Sequence, residues 1–273
     1  MRKAGVLSAV ALALLVAAAA GGSEAARVAG ATEVDLELIL AVDVSGSIDE
    51  DEGRLQREGY LHALTDPGVI RAIQAGRRKR IAIAYVEWAG YRWQRMVADW
   101  TLVQDMATAQ ALAGKIKASE RVSGPFTSLS GIIDYSVPLF GKAFKGNRQV
   151  IDISGDGPNN RGRPVALARD QAVAKGIVIN GLPIVNERPN PWGRMPMQHL
   201  DLYYRNCVIG GRGAFMVVAR NFPDFARAVR RKLILEIVGL TPPERPVLVA
   251  AAQPSGVPHC DAFLRPTQNY EDY

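Results

Sequence analysis

Residues 36–49 read LELILAVDVSGSID, and everything else in the chain is best read outward from them. The first seven letters are apolar apart from Glu37. Such a run is shorter than an ordinary helix and has the character of a strand buried on both faces. Directly after it come Asp43, Ser45, Ser47 and Asp49, a dense series of side-chain oxygens with Gly46 between the two serines. In an open α/β sheet, ligands collect at the carboxyl ends of strands where the strand order reverses. The stretch therefore predicts both a central strand and a site at its tip.

The segments on either side alternate in the way this reading requires. An acidic stretch after Asp49 leads into a helical pattern that reaches Leu64. RIAIAYVEW (80–88) is the next strand, and RMVADWTLV (95–103) follows closely enough to form a hairpin with it. A helix is predicted over 107–120. Another is predicted over 128–144, where Pro138 should kink or end it. RQVIDIS (148–154), IVINGLPIV (177–185) and AFMVVA (214–219) are further strands, and a helix between the first two is closed by Gly176. The last helix is expected to start at Asn221 as N-cap and to carry Phe225, Val229, Leu233 and Ile237 on one face. The fold class predicted is α/β: an open, mainly parallel sheet flanked by helices on both faces, with one antiparallel edge hairpin.

The ends read differently. Arg2 and Lys3 precede an apolar run from Val6 to Ala20 and then small residues, the pattern of a secretory signal peptide over residues 1–25. A retained membrane anchor would need about 20 apolar residues, and Gly21 and Gly22 interrupt this run first. The expectation is an exported protein, periplasmic or secreted, with no stable membrane span after cleavage. Loss of Arg2, Lys3 and Glu24 would lower the formal charge by one from +6. The basic residues are scattered, and export removes the usual nucleic-acid partners, so no nucleic-acid surface is expected. Residues 240–273 form a Pro-rich tail expected to be disordered or loosely packed. Only Cys207 and Cys260 are present. An oxidising compartment would permit a disulfide between them, while burial of Cys207 as a free thiol is the alternative.

The letters exclude several chemistries at the DVSGSID site. A calcium-binding EF-hand loop beginning at Asp43 would need glycine and glutamate where Ile48 and Arg54 stand. A phosphatase-type nucleophile would want a second carboxylate at Ser45. No GxSxG elbow or phosphate-binding P-loop is present, and His62, His199 and His259 fall in no nucleophile motif.

The D-x-S-x-S arrangement at a strand end resembles the von Willebrand factor A family, whose metal-ion-dependent adhesion site uses this motif. That family also requires a threonine in a later loop and an aspartate after the next central strand. Thr127, in SGPFTSLSG, and Asp156, in ISGDGPNN, stand in those places. The resemblance covers residues 34–239, and the chain is most similar to exported bacterial proteins with A-type domains and no assigned function. It implies a Mg2+ (or Mn2+) site. Ser45, Ser47 and Thr127 would bind directly through hydroxyls, while Asp43 and Asp156 would act mainly through waters. The ion would keep much of its charge and accept a carboxylate from a protein partner. Gly155, where a threonine or serine is usual, and Pro125-Phe126, in place of a glycine-rich lead, depart from the family pattern.

Other residues frame this site. Trp88, Tyr91, Trp93 and Trp192 are candidate partner anchors, and Arg161 or Arg163 would attract an acidic partner, with ordinary loop packing as the alternative for each. Asp152 reads either as a support behind the site or as a buried carboxylate satisfied by backbone or an arginine. Two alternative functions stand beside partner binding. One is a metal-assisted hydrolase with Asp156, Asp49 or Glu50 as base. The other is a metal-free scaffold in an envelope assembly.

Overall fold

In the computed structural model, residues 31–239 and 259–265 are described. The expected signal peptide (1–25) lies outside the described residues, and so does the tail apart from residues 259–265. A five-stranded sheet organises the rest, built from β2 (Glu37–Asp43), β3 (Ile81–Trp88), β4 (Gln94–Val103), β6 (Gln149–Gly155) and β7 (Val178–Pro183) in the order β4-β3-β2-β6-β7. All neighbours are parallel except β3 and β4, the edge hairpin. A small parallel pair, β1 (Thr32–Val34) with β5 (Phe144–Gly146), lies apart from it.

Every residue of β2 is buried: the apolar run Leu38–Val42, as a strand between two parallel neighbours demands, and the carboxylates Glu37 and Asp43 at its two ends. Period-two alternation divides its side chains between two cores. Leu38, Leu40 and Val42 pack with Tyr60, Val69, Leu112, Phe225 and Leu233. These come from α1 (Glu50–Leu64), α2 (Pro67–Ala75), α3 (Met106–Ala118) and α7 (Phe225–Val238). On the opposite face, Ile39 and Ala41 meet Ile132, Val165, Leu200 and Tyr204. That layer consists of α4 (Leu129–Ser136), α5 (Val165–Ala174) and the single turn α6 (Leu200–Tyr203), which continues as a π-helical turn over Tyr204–Val208. Truncating a central side chain, as in Leu40→Ala, would cost about 2–5 kcal/mol.

Two local expectations need correction, and a third, that Pro138 would kink or end its helix, is met by an end. The run at 214–219 lies alongside β7 through isolated bridges at Met216 and Ala219 and forms no continuous strand. One reason is that the Phe215 N–H donates to Asn180 Oδ1 (2.8 Å), so a side chain takes the place of a ladder partner. The last helix begins at Phe225, with Asp224 in the cap position. Asn221 instead accepts the Asp224 N–H at 2.8 Å, fixing the turn that precedes the helix. Pro138 ends α4 at Ser136, and Val137–Leu139 follows as a 3-10 turn.

Asp152 is buried on β6 and meets a lysine, neither backbone nor arginine. Lys232 Nζ, fully buried on α7, lies 2.7 Å from Asp152 Oδ1 and 2.5 Å from Glu236 Oε1. Asn180 Nδ2 also donates to Glu236 Oε1 (3.0 Å). Burial pushes the Asp152 carboxyl up to about 8, with the Glu236 charge adding and Lys232 opposing. The cluster ties α7 to the sheet as a buried charge network.

Candidate metal centre

The strand order positions the site. From β2 the chain leaves first toward β3 and β4 and later returns to β6 and β7 on the other side, so the order reverses between β2 and β6. Asp43 is the last residue of β2, and Asp156 directly follows β6. The loops after these strands open into the crevice where such sheets bind ligands.

Within the first loop, Asp43 Oδ1 accepts the Ser45 N–H at 2.7 Å, a tight turn that brings both serines round. Ser45 Oγ then lies 3.1 Å from Ser47 Oγ, and Ser47 Oγ donates to Asp156 Oδ1 at 2.8 Å. The serines do not cap α1. Asp49 does, in a capping box: Asp49 Oδ1 accepts the Glu52 N–H (2.8 Å), and Glu52 Oε2 accepts the Asp49 N–H (3.1 Å). The hydroxyls are thus left for one another and for Asp156.

Thr127 arrives from the loop before α4 and is buried. Asn160 brackets it, taking the Thr127 N–H on Oδ1 (3.0 Å) and donating its own N–H to the Thr127 carbonyl (2.9 Å). A Cβ built on Gly157 would stand 3.7 Å from Thr127 Oγ1, so this hydroxyl faces the chain beside Asp156. The preceding Phe126 has φ +62°, a left-handed conformation that costs a non-glycine residue on the order of 1 kcal/mol. The Arg161 guanidinium stacks over its ring at 4.0 Å.

The electrostatics are unbalanced. Asp43 is fully buried, and its Oδ2 has no hydrogen-bond partner. Burial raises its carboxyl well above the usual range, and the nearby Asp156 adds to this. Burial pushes Asp156 up to about 6, with the Ser47 hydrogen bond opposing and the Glu52 charge adding. Among the described residues, no ion pair reaches either aspartate. A divalent cation beside this set would relieve the repulsion and use the orphaned oxygen, so the donor set fits a hard cation. Among the described residues, no group of three or more His, Cys, Asp or Glu side chains could hold a metal. The donors gathered here are largely hydroxyls.

The Gly155 departure has a local cause. A Cβ at this position would stand 2.8 Å from both Asp43 Oδ2 and Tyr204 Oη, so the buried phenol takes the room that a side chain at 155 would need. Tyr204 is the residue that the sequence reading missed. It sits in an apolar stretch far along the chain, and only the absence of a side chain at 155 hinted at something filling that space.

The expected contact residues separate into two groups. Trp88 ends β3 opposite Asp43 in register and is fully buried, so it belongs to the core and cannot anchor a partner. Arg163 is forked onto Asp134 (2.8 and 2.5 Å), which commits its guanidinium. Trp93 is half-buried, and its ring packs over Gly124. Tyr91 and Trp192 are 42% and 67% exposed. The Trp192 ring lies where a Gly46 side chain would go, directly on the serine turn. Its loop is tied to α1 by Asn186 Nδ2 donating to Glu52 Oε1 (2.7 Å).

Residues 33–241 match the family model described as "Protein of unknown function (DUF1194)". The chain belongs to that family. No curated protein matches this DUF1194 chain. Its fold is that of von Willebrand factor A domains, as solved structures with low sequence identity show. A von Willebrand factor type A protein from Catenulispora acidiphila is 15% identical, with TM-score 0.51, over 76% of this chain and 43% of that one. Proximal thread matrix protein 1 from the mussel byssus is 13% identical, with TM-score 0.53, over 76% and 49%. The pilus adhesin SpaC from Lactobacillus rhamnosus GG is 12% identical, with TM-score 0.55, over 75% and 31%. A further structure of the mussel protein, 12% identical over 76% and 48% with TM-score 0.52, is described as having a zinc-occupied MIDAS motif. The DUF1194 chain thus spans at most about half of each of these proteins.

Proposed function

We propose that this is an exported A-type domain that captures a protein partner through a divalent cation, Mg2+ or Mn2+, without catalysis. The observation that carries the reading is the convergence of Ser45, Ser47 and Asp156 around the orphaned buried carboxylate of Asp43, with Thr127 held alongside. Ser45, Ser47 and Thr127 would bind the ion directly, and Asp43 and Asp156 through water. Neutral hydroxyl ligands leave the ion strongly electrophilic, so a carboxylate from the partner completes its shell. Trp192 beside Gly46, with Tyr91 and Arg161, supplies the surrounding contact surface. The zinc-occupied site of the mussel protein supports metal binding by this fold, and the Cys207–Cys260 disulfide supports export to an oxidising compartment.

The hydrolase reading is weaker because Asp49 is occupied in the capping box. The test is calorimetric titration of the full chain with Mg2+ and Mn2+, beside Ser45→Ala/Ser47→Ala and in the presence of acetate as a carboxylate probe. Site-dependent binding that acetate perturbs is the expected result. Undiminished metal affinity in the double variant would sink the mechanism.

A further inference from the structure

Under the two loops of the candidate site runs a segment that contributes no residue to the motif. It begins with the turn Leu200–Tyr203 and widens into the π-helical turn Tyr204–Val208, where the Ile209 N–H reaches back five residues to the Tyr204 carbonyl (3.0 Å). Tyr203 and Tyr204 are both fully buried. Consecutive helical side chains point about 100° apart, so the two neighbours reach different places.

Tyr203 supports the loop that follows Asp156. Its Oη accepts the Asn159 N–H (3.1 Å) and donates to the carbonyl of Cys260 (3.1 Å). Asn159 passes the constraint on in two directions. Its Oδ1 accepts the Ser130 N–H (3.2 Å) at the start of α4, close behind Thr127, and its Nδ2 donates to the Arg163 carbonyl (3.0 Å). Tyr204 lies beside the other loop: its Oη and Asp43 Oδ2 both border the space over Gly155, and both are buried without a hydrogen-bond partner. The segment is held in turn by the disulfide from Cys207 to Cys260, which closes a separation of 53 residues. Phe263 adds an edge contact on Tyr203, with ring centroids 6.5 Å apart.

We propose that the Tyr203–Tyr204 pair, pinned by the Cys207–Cys260 disulfide, positions both loops of the cation site, making its affinity dependent on the oxidation state of that bond. The inference rests on the metal-binding reading above. Both tyrosines are positioning residues, and neither touches the ion. Reduction by a dithiol transfers two electrons and two protons to the bond, giving two cysteine thiols and leaving the dithiol as a cyclic disulfide. Cys260 is then released, and its carbonyl no longer orients the Tyr203 hydroxyl. Supports of this kind behind metal ligands typically change affinity 10- to 100-fold.

The experiment uses the full chain, with Cys207→Ser/Cys260→Ser and Tyr203→Phe as variants. It has two readouts: Mn2+ affinity by calorimetry, and amide hydrogen exchange at Asn159 and Ser130 in metal-free protein. Expected are an affinity loss of about tenfold in both variants and faster exchange at Asn159. Dithiothreitol should bring the wild-type chain to the same values and leave the cysteine variant unchanged. Wild-type Mn2+ affinity together with wild-type exchange in folded Tyr203→Phe and in the cysteine variant would overturn the proposal alone. A wild-type chain that takes up no Mn2+ overturns the metal reading and the affinity claim with it. Unchanged Asn159 exchange then overturns the positioning of the loops as well.

Discussion

Ser47 Oγ donates to Asp156 Oδ1 at 2.8 Å across 109 residues of sequence, while Asp49, two residues further on, turns away to cap a helix. The two neighbours therefore serve different ends, and substitution separates them. Asp49→Ala should lower stability by about 1 kcal/mol, the usual cost of a lost N-cap, and leave Mn2+ affinity within twofold. Ser47→Ala should do the reverse, with little loss of stability and at least tenfold weaker Mn2+ binding. Denaturant melts and calorimetry on the two variants check this. Equal effects on both readouts would merge the two roles.

Gly155→Ser supplies the residue type that the A-type resemblance leads one to expect, yet it should destabilise this chain. Its Cβ would stand 2.8 Å from both Asp43 Oδ2 and Tyr204 Oη, and overpacking of this kind costs about 1–3 kcal/mol. Combined with Tyr204→Phe, the same change should cost less than the sum of the two single variants. A double-mutant cycle in urea measures that coupling.

Lys232→Met should be among the most damaging single changes, at about 3–5 kcal/mol, because it leaves Asp152 and Glu236 buried without their cation. Asp152→Asn should be milder, since Lys232 keeps Glu236.

The same cluster gives a pH dependence. The Asp152 carboxyl is raised from 3.8 to about 8, chiefly by burial. The unfolded chain releases this proton near the ordinary value and the folded chain holds it longer. Its contribution is complete below the unfolded value and is lost as pH rises through the folded one. Thermal melts between pH 5 and 9 should therefore show stability falling with pH, with a flatter profile in Asp152→Asn. An identical slope in the variant would assign the effect elsewhere.

Reduction of the Cys207–Cys260 bond should also lower global stability. A loop spanning 53 residues corresponds to about 4 kcal/mol in the chain-entropy treatment. Urea denaturation with and without dithiothreitol reads this directly, and the cysteine double variant should match the reduced protein.

Much of this architecture is legible in the letters. A strand buried on both faces must be largely apolar, so LELILAV with its single Glu37 announces its own place, and the site is legible because its oxygens crowd into one short stretch. The letters leave Trp88 open between anchor and packing, because a strand-end tryptophan looks the same in sequence whether it enters the core or faces solvent. On α7 the apolar face was read correctly, but Lys232 and Glu236 are buried too. They pair with each other one helical turn apart, and Lys232 also meets Asp152, 80 residues earlier, a contact that no local pattern contains. The run at 214–219 has strand composition, and it was the side chain of Asn180 that broke its ladder.

The wide sequence spacing of the site also bears on how the chain folds. Asp43 and Asp156 come together only when β2 and β6 have paired, and β3, β4 and several helices lie between those strands in sequence. Contacts of such high sequence separation are rewarded only after the loop-closure entropy has been met. No short fragment can assemble this site, so any ligand for it selects the completed domain and stabilises it against the unfolded chain. Occupancy would then report that the chain has finished folding.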